Sequence, residues 1–300
     1  MAKKRIPTLL NPYTRKGRWY KGAFHFHSTN SDGKISPREA VANYARRGYR
    51  IVAPSDHGFT TLLPQEWFPG VLLIRNLEIC WPHLLHIGAR SEGKWKEEGL
   101  MASLRRIRRE GGFAVHCHPA WSDATWDDLV RTRPVDAVEI CNHFCELENA
   151  TGYSVERWDM LLQSGRKVWC FATDDTHFNL GFPPCDGGWV EIRCPRLTRD
   201  DVMKSLKAGS FYASQGPRLL DLSVRRGFVN LRSSPVTELR AVADGVGSGQ
   251  VYTSRVPRTA WTVDYRGWWC QPRRYLRIEL KDARGRVAWS NPLFVRTGGK

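Results

Sequence analysis

FHFHSTNSDG, residues 24–33, sets His25 and His27 between apolar residues and follows them with Asp32 and Gly33. Side chains on a strand alternate with a period of two, so both imidazoles lie on one face. Two neighbouring imidazoles there can share one cation. Gly33 permits a tight turn that swings Asp32 back over the strand end. The flanks agree with this reading. GAFHFHS (22–28) reads as a strand, and SPREAVANYARRG (36–48) as a helix with Ser36 as N-cap, Pro37 at the first helical position and Gly48 past its end.

The same alternation runs on to about residue 217. Strand-like runs occur at 49–57 (YRIVAPSDH), 71–80 (VLLIRNLEIC), 84–90 (LLHIGAR), 113–119 (FAVHCHP), 137–143 (AVEICNH), 167–175 (KVWCFATDD) and 187–195 (GGWVEIRCP). Helical patterns fall at 96–112, 123–132, 154–165 and 197–209. Such alternation predicts parallel strands covered by helices. About seven units predict an α/β barrel with its functional side chains at the C-terminal strand ends. His25, His27, Asp56, His57, Glu78, His86, His118, Asp175 and His177 all fall at or near those ends. Taken singly, each has an ordinary reading: a helix cap, an arginine partner, a turn. Their recurrence at successive strand ends makes a metal cluster the better account. A polynuclear cluster needs a bridging carboxylate, and Glu78 is placed to be one.

Past residue 217 the pattern changes to short alternating runs broken by Gly, Pro and Asp, which predicts a small all-β, sandwich-like C-terminal domain over 218–300. KDARGR (281–286) reads as a hairpin loop. Charge follows the same division: the net +16 comprises +7 in residues 1–22, −1 in 23–217 and +10 in 218–300. Residues 1–21 are read as a basic N-terminal arm. A basic arm and a basic C-terminal domain favour a polyanionic partner such as nucleic acid. In YRGWWCQPRR (265–274) two tryptophans lie beside two arginines, where they could stack on bases or plug the barrel. Trp121, Trp126, Trp158, Trp169, Trp189, Trp261 and Trp289 fall in or beside predicted elements and are expected in the core. The eight cysteines form no CxxC pair and are expected reduced. There is no apolar run of membrane-spanning length and no signal-peptide core at the N-terminus, so no membrane association and a cytoplasmic protein are expected.

All nine histidines lie between residues 25 and 177. HFHSTNSDG, SDHG, LEI, LLHIGA, VHCHPAW, VEICN and DDTH, in this order, resemble the polymerase-and-histidinol-phosphatase (PHP) family of metal-dependent phosphoesterases. SLKAGSFYASQGP and a β-region ending in AWSNP resemble a branch with a C-terminal β-domain that includes carbaryl-hydrolase-like metallohydrolases. The resemblance spans about Gly22 to Val295. It implies a distorted (β/α)7 barrel over 22–217 and two or three divalent cations (Mn, Zn or Fe). His25, His27, Glu78 and Asp175 would hold one cation. Glu78 would bridge to a second, held by His86 and His118. Asp32, His57 and His177 would hold a third. Asp56 would orient His57, and Asn142 and Asp174 would line the mouth. His116, two residues before His118, would share its face and is the candidate proton donor to a leaving group. The implied activity is hydrolysis of an anionic phosphorylated substrate, namely a nucleotide, a nucleic-acid end or a small metabolite, by hydroxide bridging the cations. Hydrolysis of a carbamate or carboxylic ester, or a non-catalytic nucleic-acid-binding role, are the alternatives.

Overall fold

The computed structural model describes residues 6–90, 93–94, 99–131, 135–179, 181 and 185–297. Lys3, Lys4 and Arg5 of the expected arm lie outside the described residues. The fold is mixed α/β. The helix after the opening stretch spans Pro37–Arg46 and starts as its sequence dictates. Ser36 accepts from the Glu39 N–H while the Glu39 carboxylate reaches back to Ser36, a reciprocal cap.

Two sheets frame the site. In one, Arg18–Ala23, Ile51–Val52 and Leu72–Leu73 run parallel. In the other, Phe113–His116, Ala137–Asn142 and Trp169–Thr173 run parallel, with Leu84–Ile87 and Glu78–Ile79 beyond them. Isolated parallel bridges, Phe26 to Thr176 and His57 to Glu78, join the sheets at the ends that carry the histidines. The strand expected over 71–80 is therefore two: Leu72–Leu73 belongs to one sheet and Glu78–Ile79 to the other.

Strand direction corrects the all-parallel expectation. Residues 80–83 turn the chain straight back with no helix between, so Leu84–Ile87 runs antiparallel to both Glu78–Ile79 and Phe113–His116. Trp189–Cys194 runs antiparallel to both Arg18–Ala23 and Phe211–Ser214. The turn at 80–83 is too short for a parallel crossover, which needs a dozen or more residues, so its two strands pair antiparallel.

The C-terminal strands are Leu219–Arg225, Phe228–Ala243, Gly249–Asp264, Tyr275–Lys281, Val287–Ser290 and Leu293–Val295, with no helix among the described residues of this region. Lys281 pairs with Val287 across the KDARGR loop. Phe211–Ser214 pairs with Val287–Ser290, so one sheet runs unbroken past residue 217. Nor do the described residues before 22 form a loose arm. Leu9–Leu10 pairs with Leu293–Val295, and Arg18–Ala23 lies within the sheet. The aromatic residues between the basic ones explain this: Trp19 packs edge-on against Tyr212 and beside Tyr13.

Two buried polar links tie the β-region to the α/β region. Arg277, 2% exposed, bonds Asp159 on the helix Val155–Gln163 at 2.9 and 2.6 Å and Glu279 at 2.6 Å. The Asn291 side chain accepts from the Cys170 N–H and donates to the carbonyls of Gly209 and Phe211. All eight cysteines are free thiols. Trp158, Trp189, Trp261 and Trp289 are buried and Trp169 is partly so, whereas Trp121 and Trp126 are exposed, contrary to expectation. Trp269 of the YRGWWCQPRR loop is exposed too, and Trp268 packs against the β-region core. Among the described residues no helix is long and apolar enough to cross a membrane.

Candidate metal centre

Glu78 lies at the middle of a cluster of imidazoles and carboxylates. Its Oε2 is 3.2 Å from His25 Nε2, 3.4 Å from His27 Nε2 and 3.2 Å from His57 Nδ1. Its Oε1 is 3.2 Å from His83 Nδ1 and 3.4 Å from His118 Nε2. Each oxygen thus faces its own set of rings. Asp175 stands opposite, with Oδ1 at 3.0 Å from His25 Nε2 and 3.2 Å from His27 Nε2. At the outer edge Asp32, half exposed, faces His177 Nε2 at 3.3 Å, His57 Nε2 at 3.6 Å and His27 Nδ1 at 3.6 Å.

The backbone delivers these groups from strand ends. His25 and His27 follow Arg18–Ala23, and both rings face the cluster as the period of two dictates. The loop that returns Asp32 packs tightly, since a Cβ on Gly33 would lie 2.4 Å from the His27 carbonyl oxygen. Asp175 takes a left-handed φ of 51° directly after Trp169–Thr173.

His86, expected as a ligand, is not in the cluster. Leu85 is the register partner of Glu78, so the next residue on the pleat, His86, projects from the opposite face. There it meets Glu110 at 3.6 Å, and burial pushes its imidazole down to about 4. His83, in the turn at φ 57°, reaches Glu78 instead. His116 and His118 do not share a face either. The strand ends at His116, and His118 has a φ of 25°, which breaks the alternation. His116 is 4% exposed, and burial pushes it down to about 4.

Asp56 does not touch His57; it accepts from the Ser28 N–H and hydroxyl, from Ser31 and from Thr61, and so pins the loop that carries Asp32. Asn142 is fully buried rather than at a mouth, donating to Glu139 and to Asp175, each at 3.0 Å. Asp174 points away, accepting from Tyr44 and from the backbone of Gly187 and Gly188.

One residue the sequence reading did not single out organises the floor. Glu139 accepts from His25 Nδ1 at 2.6 Å and Thr173 at 2.9 Å through one oxygen, and from the His118 N–H at 2.8 Å and Asn142 through the other. That bond leaves His25 Nε2 turned to the cluster. A lone carboxylate inside the apolar run AVEICN was its signal.

The electrostatics suit cations. Burial disfavours charge on His27, yet the Asp175 and Glu78 carboxylates beside it overcome that and push the imidazole up to about 9. Burial opposes charge on Asp175 as well, but the neighbouring His25 and His27 hold its carboxyl well below the usual range. His27 Nε2, Asp175 Oδ1 and His57 Nδ1 are buried with no hydrogen-bond partner. Buried polar atoms left so are costly unless something binds them. Three groups of ligand atoms each lie within 4.8 Å: His25, Glu78, Cys117 and His118; His27, Asp32, His57 and His177; and His25, His27 and Asp175. Imidazole and carboxylate donors converging in this way fit divalent cations.

No protein-family model matches the sequence, and no curated protein does. Solved structures do match. A proposed metal-dependent phosphoesterase from Bifidobacterium adolescentis covers 64% of this chain and 96% of its own, at 14% identity and a TM-score of 0.44. An amidohydrolase from Chromobacterium violaceum, with bound sulfate and no metal, covers 62% of this chain and 96% of its own, at 13% identity and a TM-score of 0.41. A two-domain protein from Bacteroides vulgatus, containing a predicted PHP-like metal-dependent phosphoesterase, covers 98% of this chain and 100% of its own, at 17% identity and a TM-score of 0.53. Over nearly its whole length, then, this chain has the fold of that two-domain PHP-like protein.

Proposed function

We propose that the chain is a metal-dependent phosphoesterase. The observation that carries this reading is Glu78, whose two carboxylate oxygens face separate imidazole sets around buried, unpartnered donor atoms. His25, His27, Glu78 and Asp175 would hold one cation, and Glu78, His83 and His118 a second. Asp32, His57 and His177, with His27 beside them, would hold a third. When bound, the cations supply Lewis acidity, which acidifies water and offsets phosphoryl charge.

The chain's own residues prepare the site. Glu139 fixes the His25 tautomer, and Asn142 holds Asp175. Burial lowers the pKa of His57, which favours the neutral form in which imidazole ligates. Asp32 faces solvent, where substrate enters. In the reaction the oxygen of water bonds to phosphorus and gives up one proton, and the ester oxygen leaves with the bonding pair and takes up a proton in its place.

The test is to load the chain with Mn²⁺, count the metal bound, and assay a phosphomonoester, a phosphodiester and a carboxylic ester. Metal-dependent release of phosphate or alcohol from a phosphoester, lost in Glu78→Gln, is expected. Turnover of the carboxylic ester alone would make this an acyl hydrolase. No metal bound, or unchanged turnover in Glu78→Gln, would refute the proposal.

A further inference from the structure

Beside the cluster lies a second cavity, of about 530 Å³, against about 200 Å³ for the cleft over the cluster itself. Its size is that of sites that hold small organic ligands, and a phosphoryl group alone does not need it. His83 walls both spaces: its Nδ1 faces Glu78, and its ring also lines the larger cavity. Trp81 stands edge-on to His83, and Trp121 packs against both His83 and His118.

The lining has a definite chemistry. Trp81, Pro82, Leu100 and Met101 make an apolar wall, and Trp81 and Met101 are 69% and 47% exposed. Among the described residues that line it the carboxylate of Asp128 faces in and no Lys or Arg does, which favours an uncharged guest over a run of phosphates. Among the described residues lining it His116 is buried and unsatisfied: it is 4% exposed, and its Nδ1 has no hydrogen-bond partner. Flat aromatic walls prefer flat aromatic guests, by stacked or edge-on contact.

We infer that this cavity receives the organic half of the substrate, and that the half it selects is an uncharged aryl group whose polar substituent meets His116. The substrate class is then an aryl phosphate ester rather than a nucleic-acid end. This inference rests on the phosphoesterase reading, and its test separates the two.

The Mn²⁺-loaded full chain is titrated with phenylphosphonate and with methylphosphonate, which cannot be hydrolysed, and assayed on phenyl phosphate and methyl phosphate. Phenylphosphonate should bind about tenfold tighter, and phenyl phosphate should have the higher kcat/KM. Trp81→Ala, at an exposed position, should bring both ratios about five- to tenfold closer to one. Met101→Glu, which places a charge at the rim, is a second variant with the same expected result. Tighter phenylphosphonate binding without turnover of either ester would support the cavity's role while removing the phosphoesterase reading. Turnover of both esters with equal efficiency, equal binding of the two phosphonates, binding of neither, or ratios unmoved in both variants would overturn the inference.

Discussion

Replacing Glu139 with the isosteric amide, Glu139→Gln, removes a charge and also inverts hydrogen-bond polarity at a point where four donors converge. One carboxylate oxygen receives His25 Nδ1 and the Thr173 hydroxyl; the other receives the His118 N–H and the Asn142 amide. A glutamine side chain offers one acceptor and one NH₂ group. Turned one way, the NH₂ faces His25 and Thr173. His25 must then carry its proton on Nε2, where it can no longer ligate a cation. Turned the other way, the NH₂ faces the His118 N–H and Asn142, and a buried backbone donor is stranded at about 1–3 kcal/mol. Loss of such an outer partner of a ligating histidine typically weakens metal binding about 10–100-fold. The assay is Mn²⁺ affinity by competition with a chelator, together with urea denaturation of the metal-free chain. The expected result is an affinity about 10–100-fold weaker, a stability lower by about 1–3 kcal/mol, or both. Affinity within twofold of the parent at unchanged stability would refute the argument that Glu139 sets the His25 tautomer.

The hairpin pleat predicts different outcomes for two nearby histidines. His83→Ala should weaken one cation about 100-fold, taking roughly 10–16 kcal/mol shared over four ligands as the scale, whereas His86→Ala should keep the metal count. The reverse pattern by elemental analysis would contradict the register. Asp159→Ala strips Arg277 of its bidentate partner but leaves Glu279. Breaking a buried pair costs about 3–5 kcal/mol, and the lower end is expected here, as a loss of several degrees in Tm. A Tm within one degree of the parent would show that the link contributes nothing. Burial raises the Glu191 carboxyl, against partial relief from Arg218, Trp189 and Lys21. A folded pKa above the unfolded one gives stability that is present below about pH 4 and lost as pH rises through the folded value. Glu191→Gln should therefore gain on the parent between pH 4 and pH 8 in denaturation, and a constant difference across that range would refute it.

Much of the site was legible because strand ends with polar residues are rare in apolar runs. The strand-end positions of the HxH pair, Glu78, Asp175 and His177 could be read from the period of two and the order of elements, whereas their grouping as ligands came from the resemblance to the PHP family. The His83–His86 exchange could not, since it depends on where the four-residue turn at 80–83 ends and the pleat begins. His118 escaped the alternation for a related reason: one positive φ rotates a side chain to another wall. Glu139 was missed although its signal, a lone carboxylate inside the apolar run AVEICN, stood in the sequence. In the fold, residues 1–21 look like an arm by charge. Pairing with strands nearly 300 residues away lies beyond any local pattern, and so does the continuity of the sheet past residue 217.

That continuity has a consequence for the order of synthesis. Residues 287–295 leave the ribosome after every metal-site residue, yet they cover the edge of Phe211–Ser214, pair with Leu9–Leu10 and carry the Asn291 side chain that holds Cys170. Cys170 lies on the strand that ends just before Asp175. The first described strand therefore waits for the last, a pairing of high contact order that slows folding. Until it forms, the strand that delivers Asp175 lacks one of its anchors, so a growing chain that displays all nine histidines has not yet assembled the cluster.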